Sequence, residues 1–423
     1  MLMVGGRVPV VAQQLPDGGV ENDDADIRIN PEVDYTSAPE PETIEIPAFI
    51  KKSADTVRMN GADWSALRER FAHADSQRVG IVHIGDSHLQ ADVATSVVRR
   101  RLQSDYGDAG RGLVTPLKMA GTNEPRDYAF RGVDGVWVSS KLMKRPWATK
   151  MGFTGVSTTP MSGKGTIEVA TLSRTGTPQI FDCVRLLHSA RPEVAPAVPY
   201  AATAVRTDSL VSVVTLPQPV STLGLDMSLP SDQALYGMSL ERMRPGGLLY
   251  HVIGNNGAAY VSYNGIERFG DGVALLSPDL IIVSLGANEA FSRMTSDEMY
   301  SSIAVMVDGL RRSCPGAQIL LTTPMECQRS TSVRRKRRRR RVRSYVVNPR
   351  VSAMREVILR YGRDNKIPTY DFYEVAGGAG ASAKWISAGM MARDRIHNSV
   401  KGYDVQGQLL YEALKKAVSK DAK

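Results

Sequence analysis

The sequence predicts an α/β protein in which a doubly wound parallel sheet is interrupted by a long β-rich insertion. The first observation is an apolar run at residues 79–84 followed by apolar residues at helical spacing, which is typical of a doubly buried strand and its helix. The second is the alternation of strand-like and helix-like segments later in the chain. The third is a stretch, 113–246, of short β-branched runs separated by turn residues.

The N-terminal residues precede the folded part. Residues 13–47 combine prolines and acidic residues with few large apolar groups, so they are predicted to be a linker or an extended lead-in. Trp64, Leu67 and Phe71 recur at helical spacing and predict a short helix over 64–74. The folded part is therefore expected to begin near residue 55.

The other elements of the α/β part are predicted from short apolar runs and amphipathic segments. Strands are expected at 81–84, 248–253, 280–285, 318–323 and 369–372. Helices are expected from residue 89 to about 106, and at 296–312 and 349–365. Because the two kinds of segment alternate, the strands are expected to be parallel and covered on both faces.

The insertion is predicted to be a second domain. Candidate strands lie at 165–172, 180–187, 209–216 and 221–227. They suit a β-sandwich or jelly roll, and the alternative is one large irregular loop, which would be unusually long in a compact protein. The predicted organisation is a lead-in over 1–54, an α/β domain formed by 55–112 and 247–423, and an inserted all-β sandwich domain over 113–246.

The net charge of +9 has a local origin. Nine of the 53 basic residues lie in the run that begins at Arg334 and ends at Arg343, and the remaining basic residues equal the 44 acidic ones in number. Such a run is either a solvated loop or a contact to an anionic surface or polymer. No aromatic residue lies within it, so specific nucleic-acid binding is not expected.

Membrane spans and cysteine frameworks are not predicted. No stretch approaches the ~20 apolar residues that a transmembrane helix needs. Residues 10–13 suit either the end of a signal peptide whose start lies outside this numbering or an ordinary N-terminal segment. Cys183, Cys314 and Cys327 have neither the spacing of a metal site nor that of a disulfide framework.

Polar motifs follow three of the predicted strands, and a fourth lies near the C-terminus. They are Gly-Asp-Ser-His at 85–88, Gly-Asn-Asn-Gly-Ala at 254–258, Gly-Ala-Asn-Glu at 286–289 and Asp-Arg-Ile-His at 394–397. The carboxyl ends of parallel strands meet at one rim, where ligands bind in open α/β sheets. A serine on a strand-to-helix turn at that rim is a candidate nucleophile if a base reaches it.

These four blocks, in this order, resemble those of the SGNH or GDSL-type esterases and acylhydrolases. The resemblance implies a flavodoxin-like parallel sheet and a serine hydrolase that needs no cofactor and no metal. It implies that Ser87 is the nucleophile, His397 its general base and Asp394 the residue that orients the histidine. The oxyanion hole would combine the Ser87 amide, the Gly257 amide and the Asn288 side chain.

The insertion, His88 and the glycine block at 254–258 resemble the subgroup that includes peptidoglycan O-acetylesterases. That resemblance implies an enzyme that removes O-acetyl groups from a polysaccharide, most simply peptidoglycan, and that is periplasmic or secreted. Plant or host glycans are the alternative substrates. Two positions depart from many members of the family: Glu289 replaces an aspartate, and His88 replaces a leucine.

Two other classes of function stay open at this stage. The insertion is compatible with a non-catalytic glycan-binding or surface protein built on a hydrolase scaffold. A metal hydrolase is disfavoured because His83, His88, His251 and Asp92 lack a metal-ligand spacing. Candidate sugar-stacking aromatics in the insertion are Tyr128, Trp137, Trp147 and Phe153, although core positions are the alternative for each.

Overall fold

The computed structural model describes residues 43–172, 179–334 and 341–419. Its strands are β1 (Val57–Arg58), β2 (Arg78–Gly85), β3 (Gly112–Val114), β4 (Tyr128–Asp134), β5 (Trp137–Lys141), β6 (Val156–Pro160), β7 (Lys164–Thr171), β8 (Phe181–His188), β9 (Glu193–Pro196), β10 (Ala204–Thr207), β11 (Val211–Val220), β12 (Thr222–Ser228), β13 (Leu235–Glu241), β14 (Gly247–Gly254), β15 (Leu280–Ser284), β16 (Gln318–Thr322), β17 (Gln328–Arg334), β18 (Arg341–Val347) and β19 (Thr369–Tyr370). Its helices are α1 (Ser65–Ala72), α2 (Ser87–Gln90), α3 (Val93–Tyr106), α4 (Tyr260–Asn264), α5 (Phe269–Ala274), α6 (Ala287–Phe291), α7 (Ser296–Ser313), α8 (Pro349–Asp364), α9 (Phe372–Val375), α10 (Ala381–Ser387) and α11 (Val400–Val418), with one 3₁₀ turn (Lys52–Ala54).

The central sheet has the strand order β1-β19-β16-β15-β2-β14. β1 is antiparallel to β19, and the other five strands are parallel. Numbered along the chain, those five follow the order 2-1-3-4-5 of flavodoxin-like sheets. β2 pairs with β14 on one side and β15 on the other, and all its residues after Arg78 are buried. The predicted parallel sheet is thereby confirmed.

Two predicted elements of the α/β part differ from the structure. The helix expected after residue 89 is split into α2 and α3 by Asp92, whose φ of 52° breaks the helical path. The strand expected at 369–372 ends at Tyr370 because the side chain of Asp371 accepts the Glu374 amide and starts α9. Both breaks arise at an aspartate that bonds to an arginine outside the predicted element: Asp92 bonds to Arg111, and Asp371 bonds to Arg355.

The folded part begins earlier than residue 55. Ile50 is buried in the core of the α/β part, and the Lys51 amide donates to the Val375 carbonyl over 2.9 Å. Ile44 and Ile46 pack against the same core. The end of the proline-rich lead-in is therefore part of the packed structure.

The stretch between α3 and β14 forms two antiparallel sheets, called the β part here. One sheet has the order β10-β11-β8-β13-β6-β5, with β3 also paired to β13, and the other has the order β4-β7-β12-β9. Their inward side chains form one hydrophobic core that is separate from that of the α/β part, including Phe130, Val169, Leu225, Val184, Val214 and Met238. The two sheets therefore pack face to face, and the four predicted strands correspond to β7, β8, β11 and β12.

The basic run lies between and at the ends of two paired strands, β17 and β18. β17 and β18 are antiparallel, with Arg334 opposite Arg341 and Gln328 opposite Val347. Residues 335–340, which carry most of the predicted basic run, lie outside the described residues. The prediction of a solvated loop falls on these residues, and the strands that flank them pair with each other.

Two further expectations concern cysteines and membranes. Cys183, Cys314 and Cys327 are buried free thiols. Burial raises the pKa of Cys183 and Cys314 to about 11 and that of Cys327 to about 12, so all three thiols are protonated near neutral pH. None of the helices within 43–172, 179–334 and 341–419 combines the length and hydrophobicity that a bilayer span requires.

Candidate active site

Three loops meet at the carboxyl rim of the central sheet. β2 ends at Gly85, β14 at Gly254 and β15 at Ser284, in parallel register. The strand order reverses its direction at β2, and this switch point is where open α/β sheets place their ligands. The structure therefore brings three of the four motifs together, as the sequence predicts.

The nucleophile loop, residues 85–88, is fixed by close packing and by one side-chain cap. A Cβ atom on Gly85 would lie 2.9 Å from the Ser284 carbonyl oxygen, so only glycine fits there. Asp86 Oδ1 accepts the His88 amide over 2.9 Å and starts α2 at Ser87. Burial raises the pKa of Asp86 to about 6 despite that bond.

The base loop, residues 394–397, is held by its own aspartate. Asp394 Oδ1 accepts the amides of Ile396 and His397 over 2.9 and 3.0 Å. Its Oδ2 lies 2.7 Å from His397 Nδ1. Partial burial alone would raise the pKa of Asp394, but these bonds, above all that from His397, lower it to about 2. The carboxylate is therefore ionised near neutral pH.

Ser87, His397 and Asp394 form one hydrogen-bonded chain. Ser87 Oγ lies 2.8 Å from His397 Nε2, while Nδ1 of the same ring faces the Asp394 carboxylate. Because an ionised carboxylate only accepts, Nδ1 carries the proton and Nε2 accepts from the serine hydroxyl. This arrangement can remove the hydroxyl proton during nucleophilic attack.

Asn288 and Gly257 lie beside the nucleophile loop. Asn288 Nδ2 donates to the Ala258 carbonyl over 2.8 Å and to Asp86 Oδ2 over 3.2 Å. Gly257 has a φ of 78°, a region that favours glycine. Asn288 thus links the segment that follows Gly257 to the nucleophile loop, and its side-chain amide already has two acceptors.

Glu289 has a structural role that the sequence did not reveal. It is fully buried, and its Oε1 accepts the Tyr260 amide over 2.7 Å at the start of α4. Burial raises its pKa to about 7, despite the bond from Tyr260. This carboxyl group joins the asparagine block to the segment after the glycine block. The only sequence signal was the replacement of the usual aspartate.

His88 contacts the proposed base. Its ring centroid is 5.0 Å from that of His397, and its Nδ1 is 3.1 Å from the Tyr403 hydroxyl. Burial lowers the pKa of His88 to about 3, so the ring is neutral near pH 7. No sequence signal pointed to Tyr403, because α11 approaches the nucleophile loop only in the folded chain.

The candidate metal ligands do not form a cluster. His83 bonds to the Tyr250 hydroxyl over 2.7 Å and to Ser284 Oγ over 2.6 Å, and burial lowers its pKa to about 3. Asp92 bonds to the buried guanidinium groups of Arg99 and Arg111. Within the described part of the chain, no group of three or more His, Cys, Asp or Glu side chains is placed to hold a metal ion.

Two of the candidate sugar-stacking aromatics are core residues. Tyr128 and Phe153 are 2% and 3% exposed, so their interpretation as surface platforms is wrong. Trp137 and Trp147 are half-buried and pack against the two hydrophobic cores. Core packing is the commoner role of aromatics in such sheets because they bury a large apolar area.

The β part touches the glycine block directly. Asn255 Nδ2 donates to the Thr154 carbonyl over 3.0 Å, and Asn256 Nδ2 donates to Asn123 Oδ1 over 2.7 Å. The Asn256 amide also donates to Gln90 Oε1 over 2.7 Å, just after the nucleophile loop. One wall of the rim is therefore braced by the β part.

Comparisons with known proteins agree with this geometry. Residues 228–405 match the GDSL-like Lipase/Acylhydrolase family, a range that includes the glycine, asparagine and Asp-x-x-His blocks. A solved structure titled as a peptidoglycan O-acetylesterase in action is 21% identical, with a TM-score of 0.68, over 85% of this chain and 97% of that one. No curated protein sequence matches the chain.

Other solved structures resemble only a smaller part of the chain. A lipase/acylhydrolase from Enterococcus faecalis is 19% identical, with a TM-score of 0.29, over 40% of this chain and 76% of that one. An acetyl xylan esterase is 15% identical, with a TM-score of 0.30, over 40% and 81%. The chain thus matches the GDSL-like Lipase/Acylhydrolase family over residues 228–405 and shares its fold with the first structure, and both findings support a carboxylic ester hydrolase.

Proposed function

We propose that this protein is a serine esterase that removes O-acetyl groups from a polysaccharide, with peptidoglycan as the first candidate. The observation that carries the proposal is the hydrogen-bonded chain from Ser87 through His397 to Asp394 at the rim of the parallel sheet. A serine hydroxyl, a histidine ring and a carboxylate, hydrogen-bonded in this order, are the groups that acyl transfer needs.

In the first step Ser87 Oγ attacks the carbonyl carbon of the acetyl ester, and its proton moves to His397 Nε2. Asp394 stabilises the resulting imidazolium through the 2.7 Å bond to Nδ1. The tetrahedral intermediate collapses by breaking the bond to the sugar oxygen, which takes the proton from Nε2 and leaves as an alcohol. An acetyl-serine remains.

In the second step a water molecule gives one proton to His397 Nε2 and attacks the acetyl-serine. The bond to Ser87 Oγ breaks, the serine recovers its proton from the histidine, and the product leaves as acetic acid, which releases the second proton of the water to solvent and becomes acetate. No cofactor is needed, because proton transfer and nucleophilic attack supply both steps.

The oxyanion is proposed to bind to the amides of Ser87 and Gly257 and to the Asn288 side chain. Asn288 must then exchange one of its two acceptors for the substrate oxygen. The bond to Asp86 is the longer of the two, at 3.2 Å against 2.8 Å to Ala258, so it is the one to be exchanged. The developing negative charge strengthens the new bond.

The choice of a polysaccharide substrate rests on the β part and on the resemblance to a peptidoglycan O-acetylesterase structure. Residues 113–246 are proposed to be an inserted, carbohydrate-module-like domain that holds the polymer beside the rim. The protein is proposed to act in the periplasm or outside the cell, where such polymers are found. The basic run from residue 334 to 343 is proposed to contact an anionic surface.

The test is acetate release from O-acetylated peptidoglycan and from acetylated xylan, measured in parallel. Wild type is compared with Ser87→Ala, His397→Ala and the control Ser231→Ala, which changes an exposed serine of the β part. We expect release from peptidoglycan that Ser87→Ala and His397→Ala abolish and that the control retains.

Three outcomes would contradict parts of this proposal. Substantial release by Ser87→Ala would exclude the assigned nucleophile, and release mainly from xylan would exclude peptidoglycan as the preferred polymer. A folded wild type that neither releases acetate nor reacts with a fluorophosphonate probe would favour a non-catalytic glycan-binding protein. Replacing residues 335–340 with an Asn-Gly turn between the paired Arg334 and Arg341 tests the basic run, since salt-dependent surface binding should then weaken.

A further inference from the structure

A basic loop of the β part borders the proposed oxyanion hole. Residues 142–150, called the basic loop here, are the first part of the connection between β5 and β6. They lie within a stretch, 135–167, that contains five basic residues and no acidic one. Three of those basic residues, Lys144, Arg145 and Lys150, are exposed on the loop. Within the described ranges, no carboxylate lies at ion-pair distance from these three groups.

The basic loop is anchored close to the rim. Met143, which is 41% exposed, lies 3.9 Å from the position that a Cβ atom on Gly257 would take. Arg145 Nη2 lies 3.3 Å from the corresponding position on Gly265, at the end of α4. The charged segment therefore rests against the loop that supplies the proposed oxyanion donor.

The backbone of the basic loop is braced from inside. The buried Ser140 Oγ accepts the amides of Ala148 and Thr149 over 2.9 and 3.0 Å. The Leu142 amide donates to the Gly155 carbonyl over 2.7 Å. The Arg145 guanidinium lies over the Trp147 ring, 4.1 Å from its centroid. Such bracing lowers the entropy lost when the charged side chains bind a ligand.

Positive charge also lies on and next to the base loop. Arg393, which precedes Asp394, is exposed, and Arg395 stacks over Tyr345 of β18 at 4.3 Å. The side chains of Asp86 and Glu289 are buried, and that of Asp394 bonds to His397. A polymer bound at the rim would therefore meet positive charge from the basic loop and from Arg393.

We infer that the basic loop is a subsite for carboxylates of the acetylated polymer, so that the enzyme selects acidic over neutral polysaccharides. The inference rests on the proposed function. Lys144, Arg145 and Lys150 contact carboxylates that the polymer carries next to the acetylated sugar, while Met143 packs against the sugar ring. Charge-assisted bonds at a preorganised site favour the acidic polymer and raise its association rate at low salt.

The test uses one polymer in two charge states. Chemically O-acetylated alginate is compared with the same preparation after its carboxylates have been converted to neutral methylamides. Acetate release gives kcat and KM for wild type, for the triple variant Lys144→Gln/Arg145→Gln/Lys150→Gln, and for Lys164→Gln. The last is the matched control, since it removes an exposed charge of the same stretch on β7.

We expect wild type to prefer the acidic polymer about tenfold or more in kcat/KM, mainly through KM, and added salt to weaken that preference. The triple variant should lose the preference, and Lys164→Gln should keep it. Equal kcat/KM values for the two polymers, or an unchanged preference in the triple variant, would overturn the inference.

A binding measurement separates this inference from the proposed function. Ser87→Ala protein, with and without the triple substitution, is titrated with fluorescently labelled acidic and neutralised alginate and with double-stranded DNA. Loop-dependent binding of the acidic polymer alone supports the subsite, even if no variant releases acetate. Loop-dependent binding of DNA with equal affinity would overturn the assignment to a glycan, and no loop-dependent binding would overturn the subsite itself.

Discussion

The nucleophile loop and the base loop each contain an aspartate, and the two carboxyl groups have opposite pKa shifts. Asp86 is buried, and burial raises its pKa to about 6. Asp394 is partly exposed and bonds to His397, and its pKa falls to about 2. Burial therefore decides the pKa of the aspartate in the nucleophile loop, whereas hydrogen bonds decide that of the aspartate in the base loop. Of the two carboxyl groups, Asp394 is the one that bonds to the His397 ring and keeps its charge to low pH.

The largest expected effect separates the two aspartates directly. Asp394→Asn should lower kcat about 10⁴-fold, because an amide cannot stabilise the imidazolium and favours the wrong histidine tautomer. Asp86→Asn should lower kcat only about tenfold, because an asparagine oxygen can still accept the His88 amide. Steady-state acetate release measures both. Similar losses of kcat in the two variants would contradict the different roles assigned to Asp394 and Asp86.

Asn288 should rank below the base loop and above the aspartate of the nucleophile loop. Asn288→Ala removes one oxyanion donor and should lower kcat by about 10²- to 10³-fold with little change in KM. The control is Asn264→Ala, whose side chain bonds to the Ser302 carbonyl away from the rim. A tenfold or smaller loss for Asn288→Ala would show that its bonds to Asp86 and Ala258 are purely structural.

Glu289 is a third carboxyl group near the rim, and its raised pKa, like that of Asp86, should make the stability of the protein depend on pH. Its folded-state pKa of about 7 exceeds the ordinary value of 4.5, so the folded chain holds a proton that the unfolded chain releases in this window. Stability should therefore fall as the pH rises from about 4.5 to 7. Glu289→Gln should remove ~2 kcal/mol of the fall in the free energy of unfolding between about pH 5 and pH 8.

Urea denaturation at the two pH values measures this change. The variant keeps an oxygen that accepts the Tyr260 amide, so the cap of α4 survives. Glu267→Gln, which changes an exposed glutamate, is the control and should leave the pH dependence unaltered. A pH dependence of Glu289→Gln that matches wild type would assign the fall to other groups, such as Asp86.

The smallest expected effect concerns His88, which contacts His397 and is hydrogen-bonded to Tyr403. Tyr403→Phe removes the hydrogen bond to His88 Nδ1 and should lower kcat about fivefold, the equivalent of one ordinary hydrogen bond. His88→Leu keeps an apolar neighbour for His397 and should have an effect of similar size. Stopped-flow or steady-state kinetics with 4-nitrophenyl acetate resolve such changes. A loss as large as that of Asn288→Ala would mean that His88 takes a direct part in the reaction.

Sequence reasoning predicted best where the pattern is local. The strand of 81–84 and the motif at 85–88 follow from adjacent residues, and the structure places them as expected. The break at Asp92 was missed because it accompanies bonds to Arg111, which is near only in the folded chain. Tyr403 was missed for the same reason. The meeting of Ser87 with His397 was predicted from the resemblance, since no spacing rule links residues so far apart.

The pairing of β3 with β13 bears on the order in which the chain folds. Ile81 and Tyr250 face each other in neighbouring strands although the whole β part lies between them in sequence. Closing so long a loop costs about 4 to 5 kcal/mol of chain entropy. β3 and β13 bring the two ends of this excursion together, so folding of the β part shortens the loop that remains to be closed. Folding of the β part therefore lowers the entropy cost of pairing β2 with β14, the two strands whose carboxyl ends carry the nucleophile loop and the glycine block.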